Sequence, residues 1–331
     1  MRPGIWPCGW GRQSSWLADD ADRAVVLAEL AELIAALVCG PSAARLHLKG
    51  LAIFHLGNAL RVKGELPQSD EEFRRANALW GQGTSGDPAE QFDKVRVLGM
   101  EASLRRAQRN LPEAWRLLDR AIQMDQEHTQ AGRLLLKRAK VLEEMDRHEE
   151  ALEDLRRAAA WIDPEREPRL HWNQRFNSLV VLVHLGRYQE AEAGLPEVRD
   201  LAERVGKKLN TLRVRWLEGL VAGLGRTEEA VAALEEVRRE FAARGIAFDT
   251  ALVSLDLAVI YLGQGRTAEV KALAAEMVAI FRAQRVQQEA LAAVLVFQKA
   301  ADRERATIEQ ARRLAGYLRQ AQHDPGAKLG R

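Results

Sequence analysis

Six turn positions recur about forty residues apart along the chain, and each precedes the second helix of one helix–turn–helix unit. Gly64, Arg109, Asp146, Gly186, Gly225 and Gly265 hold these positions, at intervals of 45, 37, 40, 39 and 40 residues. A unit of this length cannot bury its apolar face alone, so neighbours stack into a repeat solenoid. No stretch shows the alternating β-branched pattern of a strand. Ala, Leu, Glu and Arg dominate the 331 residues, and all are good helix formers. The expectation is an all-α, right-handed α-solenoid of about six repeats and roughly 14 helices, with no sheet.

The clearest copy runs from Ile53 to Ala76, IFHLGNALRVKGELPQSDEEFRRA. Leu56 and Gly57 fall in its first helix, Gly64 at the turn, Phe73 and Ala76 in its second. The turn and second helix recur as RNLPEAWRLLDRA, DRHEEALEDLRRA, GRYQEAEAGL, GRTEEAVAAL and GRTAEVKALA, and Tyr261 lies four residues before Gly265. Ala114, Ala151, Ala191 and Ala230 take the small position of the second helix, with Ser69 and Val270 in the outer units. Leu118, Leu155, Leu195 and Leu234 stand where Phe73 stands in the first. The pattern resembles the tetratricopeptide repeat over residues 42–300, and the forty-residue spacing resembles its longer-helix branch in bacterial regulators and signalling proteins. That resemblance implies a protein- or peptide-binding module.

Local signals mark several helix starts. Ser69 with Glu72 reads as a capping box, as do Asp87–Pro88 with Glu90. Thr227 and Thr267 read as N-caps ahead of acidic first turns. A leader over residues 1–18 holds Trp6, Trp10 and Trp16 among Gly and Pro and reads as poorly ordered. Residues 19–39 form an N-terminal helix with the character of a second helix lacking its first. One solenoid domain then spans 19–322, with repeats over 42–286, capping helices over 288–321 and a frayed tail over 323–331. Solenoid ends normally carry polar caps, so the apolar N-terminal helix makes self-association an expectation.

Net charge is +2, from 49 basic and 47 acidic residues, which gives no global field for nucleic acid or a membrane surface. The most apolar segment, 24–39, is interrupted by Glu29 and Glu32 and falls short of the ~20 apolar residues of a membrane span. Two cysteines without a CxxC spacing fit a reduced, cytoplasmic protein. Gly81, Gly83 and Gly86 spell GxGxxG, but a helix precedes them, not the strand of a dinucleotide site. The seven histidines form no HExxH, and no nucleophile elbow or P-loop is present. The reading is a binding protein that is not an enzyme and uses no cofactor or metal.

First helices of stacked repeats line a groove where partners dock. Projecting the repeat register onto that groove selects Phe54, Asn58, Arg61, Arg96, Arg106, Arg133, Lys140, Asn173, Phe176 and Arg215, with Leu136 beside Lys140. Arginine forks hold carboxylates, asparagine holds backbone and phenylalanine packs a side chain. The partner expected from these types is a protein or peptide, in particular an acidic extended segment. The tetratricopeptide family's carboxylate clamp is matched near Asn58, Arg133 and Lys137, but Phe54 and Met100 replace two of its polar positions. An alternative is the peptide- or effector-sensing module of a bacterial transcription or signalling regulator whose output domain lies outside this chain.

Overall fold

A computed structural model describes residues 16–83, 89–223 and 225–322. The leader before residue 16, the Asp87–Pro88 helix start and the tail from His323 lie outside the described residues. The fold is an all-α solenoid of helix–turn–helix repeats, with fifteen helices and no strand among the described residues. The chain divides into two compact units at Ile162–Asp163. The division falls on the Asp-Pro break that precedes Pro168, where the helical pattern stops.

The first unit holds α1 (Trp16–Leu37), α2 (Ser42–Lys63), α3 (Leu66–Trp80), α4 (Ala89–Ala107), α5 (Leu111–Met124), α6 (Ala131–Glu144) and α7 (His148–Ala159). Helices α2, α4 and α6 are the first helices of three repeats, and successive ones touch. The second unit holds α8 (Pro168–His184), α9 (Tyr188–Val205), α10 (Lys208–Ala222), α11 (Thr227–Ala243), α12 (Ala247–Gly263), α13 (Thr267–Ala283), α14 (Gln288–Asp302) and α15 (Ile308–Ala321).

The turns behave as the repeat requires at five of the six positions. Gly64, Gly186 and Gly265 have φ of 96°, 73° and 71°, while Arg109 and Asp146 reach 62° and 59° without the freedom of glycine. A left-handed backbone costs a residue with a Cβ about 1–2 kcal/mol, and the turn is enforced by the helices on both sides. At Gly225 the closing bond differs: the Arg226 N–H donates to the Ala222 carbonyl four residues back, whereas Arg187 and Arg266 donate to carbonyls five residues back. A seventh turn follows at Glu304, φ 55°, which is 39 residues after Gly265 and makes α14–α15 one more unit.

The small positions act as spacers. Ala114, Ala151, Ala191 and Ala230 are fully buried, as are Phe73 and Leu234 behind them. A Cβ on Gly57 would stand 2.7 Å from the Phe73 ring, and one on Gly219 2.9 Å from Leu234. Helices therefore cross at separations that only glycine allows at those points.

Two sets of caps differ from expectation. Ser69 lies inside α3, not before it, and its buried hydroxyl donates to the Gly57 carbonyl at 2.7 Å across the helix crossing. Thr227 and Thr267 are first residues of their helices, and the N-cap positions fall to Arg226 and Arg266. Those arginines pair with Glu229 and Glu269 three residues on, as Arg147 does with Glu150 and Arg187 with Glu190. Thr307 and Gln310 form a capping box at the start of α15.

Candidate functional site

The site is built on α2, α4 and α6. Each is the first helix of its repeat, so its side chains alternate between the core and the face away from the second helices. On α6 the spacing of Arg133, Lys137 and Lys140 puts three cations on one helical face. Leu136, one residue off that register, is buried in the core. Arg61 comes from the last turn of α2 and Arg106 from the last turn of α4.

Lys137 is the centre of this group. Its Nζ donates to the Gly99 carbonyl of α4 at 2.8 Å. Burial, with the charges of Arg61, Arg106 and Arg133 acting in the same direction, lowers its pKa to about 8. The three guanidinium groups thus act on one ammonium from three consecutive first helices. Gly99 lets α6 approach closely here, since a Cβ there would press on Leu134 Cδ2 at 3.0 Å, while the ammonium at 3.5 Å would be in ordinary contact.

Carboxylates frame the group on one side. Glu144 accepts from Arg106 at 2.6 Å and from Arg109 at 2.7 Å. Burial opposes its charge, but Arg106, Lys140 and Arg109 hold its pKa below the usual carboxylate value. Glu143 accepts from Lys140 at 3.0 Å, and Asn58 accepts from Arg61 Nε at 3.0 Å. Toward the start of α4, Arg96 lies 3.7 Å from Asp93, which also meets His47 at 3.2 Å. Burial and Arg96 together lower the pKa of the neighbouring His55.

Arg61, Arg106 and Arg133 therefore lie within electrostatic reach of Lys137, with Asn58 beside Arg61, while Arg96 pairs with Asp93. Phe54 does not face a groove. It is fully buried and packs edge-on against Phe73 and Trp80, at 5.6 and 5.3 Å between ring centres. Phe176 is likewise buried, stacked on Trp172 at 5.0 Å in the second unit. Both occupy inward positions of their helices, because a large apolar ring gains more from burial than the repeat register suggested. In the same unit Asn173 is exposed, and Arg215 is tied to Glu218 and Glu236, each at 3.0 Å. The residues that the sequence reading did not select are Gly99 and Glu144. Lys137 entered it only through the likeness to the carboxylate clamp, and the four- and three-residue steps from Arg133 to Lys137 to Lys140 place it on the same face.

The second unit has a cleft of about 510 Å³ at its turns, lined by Arg187, Tyr188, Glu190, Glu192 and Arg226 among others. Its charges are matched in pairs, Arg187 with Glu190 and Arg226 with Glu192. Among the described residues no group of three or more His, Cys, Asp or Glu could hold a metal ion, and no helix is long and apolar enough to cross a membrane.

Comparison with protein-family models and with curated proteins finds no match. Solved structures do resemble the chain. A Rap protein complexed with competence and sporulation factor is 14% identical, with a TM-score of 0.63 over 86% of this chain and 77% of that one. Aspartyl phosphate phosphatase F from Bacillus subtilis is 13% identical, with a TM-score of 0.61 over 80% of this chain and 67% of that one. The apo form of RapI is 11% identical, with a TM-score of 0.57 over 95% of this chain and 99% of that one. At these identities the likeness shows the fold alone.

Proposed function

We propose that this protein is a tetratricopeptide-like adaptor or sensor of the longer-helix kind, working in the cytoplasm, that binds an acidic extended peptide segment on the α2–α4–α6 face. The observation that carries the reading is the convergence of Arg61, Arg106 and Arg133 on Lys137. Cations held this close repel one another, and an anionic ligand would relieve that repulsion while gaining charge-assisted hydrogen bonds. Arginine contributes planar forks suited to carboxylates, and the Lys137 ammonium contributes a point charge. In this reading the chain works by binding and turns over no substrate. The sensing alternative gains support from a protein of this fold that forms a complex with a separate factor, competence and sporulation factor.

The test is fluorescence anisotropy with labelled decapeptides rich in Asp and Glu, set against their Asn and Gln isosteres. The acidic peptides are expected to bind the full chain. Arg133→Ala and Arg61→Ala should each weaken binding about tenfold, the value of one charge-assisted hydrogen bond. Affinity should also fall as salt rises. Equal binding of acidic and neutral peptides, or no loss in either variant, would overturn the reading. Release of phosphate from an acyl-phosphate substrate would overturn the non-enzymatic part of it, which one neighbour, a phosphatase, makes worth assaying.

A further inference from the structure

Helix α1 is built inside out. Its buried contacts are the small ones, Ala21, Ala28 and Ala35, whose seven-residue spacing lays one narrow stripe toward its own unit. Six large apolar side chains of α1 point to solvent, Val26 (60% exposed), Leu27, Leu30, Leu33 (65%), Ile34 and Leu37 (81%), and Val38 just past its end joins them. The charges of α1 that pair within the unit lie off this face. Asp22 meets Lys63 at 3.1 Å, and Glu32 pairs with Arg75. A monomer gains nothing from this arrangement, since exposed leucines forgo their transfer free energy and large contiguous apolar patches mark interaction surfaces.

The pattern of the exposed face says what covers it. Val26, Leu30, Leu33 and Leu37 are spaced by four, three and four residues, the step of a coiled-coil seam, with Leu27 and Ile34 flanking it. That spacing reads the same in both directions. Turned end for end about a point between Ala31 and Glu32, the helix sets Val26 against Leu37 of a second copy and Leu30 against Leu33. Such self-complementarity is what a two-fold interface demands, because each residue pair must occur twice. A parallel arrangement would instead place Arg23 against Arg23 on the seam. The area also fits: the seven side chains expose on the order of 700 Å² per copy, close to the ~800 Å² per partner of a standard-size interface.

We propose that the occupant of this face is a second copy of the chain, joined through antiparallel pairing of α1 with its counterpart. The interface uses the outer face of α1, so it leaves the α2–α4–α6 cation group to each copy and does not depend on what that group binds.

The experiment is light scattering of the full chain across about 1–100 µM, a range that spans ordinary dimer affinities. The expected mass is twice 37.0 kDa. Leu30→Glu together with Leu33→Glu should give the monomer mass with unchanged helical ellipticity, since both residues are exposed in the single copy. Spin labels on the native Cys39 in a Cys8→Ser chain report the direction. Antiparallel pairing puts the two labels some fifteen residues of helix apart, roughly 25 Å, whereas parallel pairing puts them about 10 Å apart. A monomer throughout would overturn the proposal. A monomer that becomes a dimer once residues 1–15 are removed would overturn it too, by making the chain's own N-terminal segment the occupant. A dimer that survives both glutamates, or labels at the short distance, would overturn the interface or its direction.

Discussion

Lys137→Met is expected to make the protein more stable while impairing the proposed binding. In the folded chain burial and three guanidinium groups bring the lysine to about pH 8, against 10.5 for an unhindered one. Near neutrality the native state therefore holds a charge that it disfavours by on the order of 3 kcal/mol. Methionine keeps the length of the side chain and removes that charge. Its cost is the hydrogen bond to Gly99, worth about 1 kcal/mol. The carbonyl is not stranded, because the Ser103 hydroxyl also donates to it at 2.9 Å. The net gain is about 2 kcal/mol at pH 7.

The pH dependence separates this account from a simple packing effect. A lysine whose folded pKa lies below its unfolded one destabilises the fold most below about pH 8, and the penalty disappears as pH rises to 10.5. The advantage of Lys137→Met should accordingly shrink between pH 8 and 10.5, read by urea unfolding followed through helical ellipticity. In parallel, anisotropy with the acidic peptides should show weaker binding. A variant less stable than the parent at pH 7, or a gap that does not change with pH, would refute the reasoning about charge crowding. A stabilised variant that still binds acidic peptides unaltered would leave the crowding intact and remove Lys137 from the site.

Two further substitutions test the fold. Asp256 of α12 is buried, accepts from Trp216 Nε1 at 2.8 Å, and is raised to about pH 7 by burial, with Arg319 and Trp216 opposing. Its contribution is full below about pH 4 and lost as pH rises to 7, so Asp256→Asn should equal the parent near pH 4 and exceed it at pH 7 by up to about 4 kcal/mol; thermal melts at both values decide this, and identical pH profiles would count against it. Asp146→Gly relieves a left-handed turn residue at φ 59° and should stabilise by about 1 kcal/mol in urea unfolding; a destabilised variant would show that Asp146 has a role beyond the turn.

The repeat period determined the helices, the turns between them and the second-helix core, because each of these is a local demand repeated every forty residues. A turn needs one left-handed residue, and a crossing needs one small one, so Gly64, Asp146, Ala151 and Ala191 could be read one at a time. The self-complementary seam of α1 was equally present in the chain, as a spacing. What the sequence did not carry was the rotation of each first helix about its axis. A first helix is apolar on more than one side, and a single residue of register decides whether a side chain meets the core or the face. Phe54, Leu136 and Phe176 went inward, and Lys137 came to the face between Arg133 and Lys140. The closeness of Lys137 to Arg61 and Arg106 joins residues separated by 76 and 31 positions. Only the stacking of α2 on α4 and α4 on α6 brings them within reach, and stacking is a property of the assembled repeats.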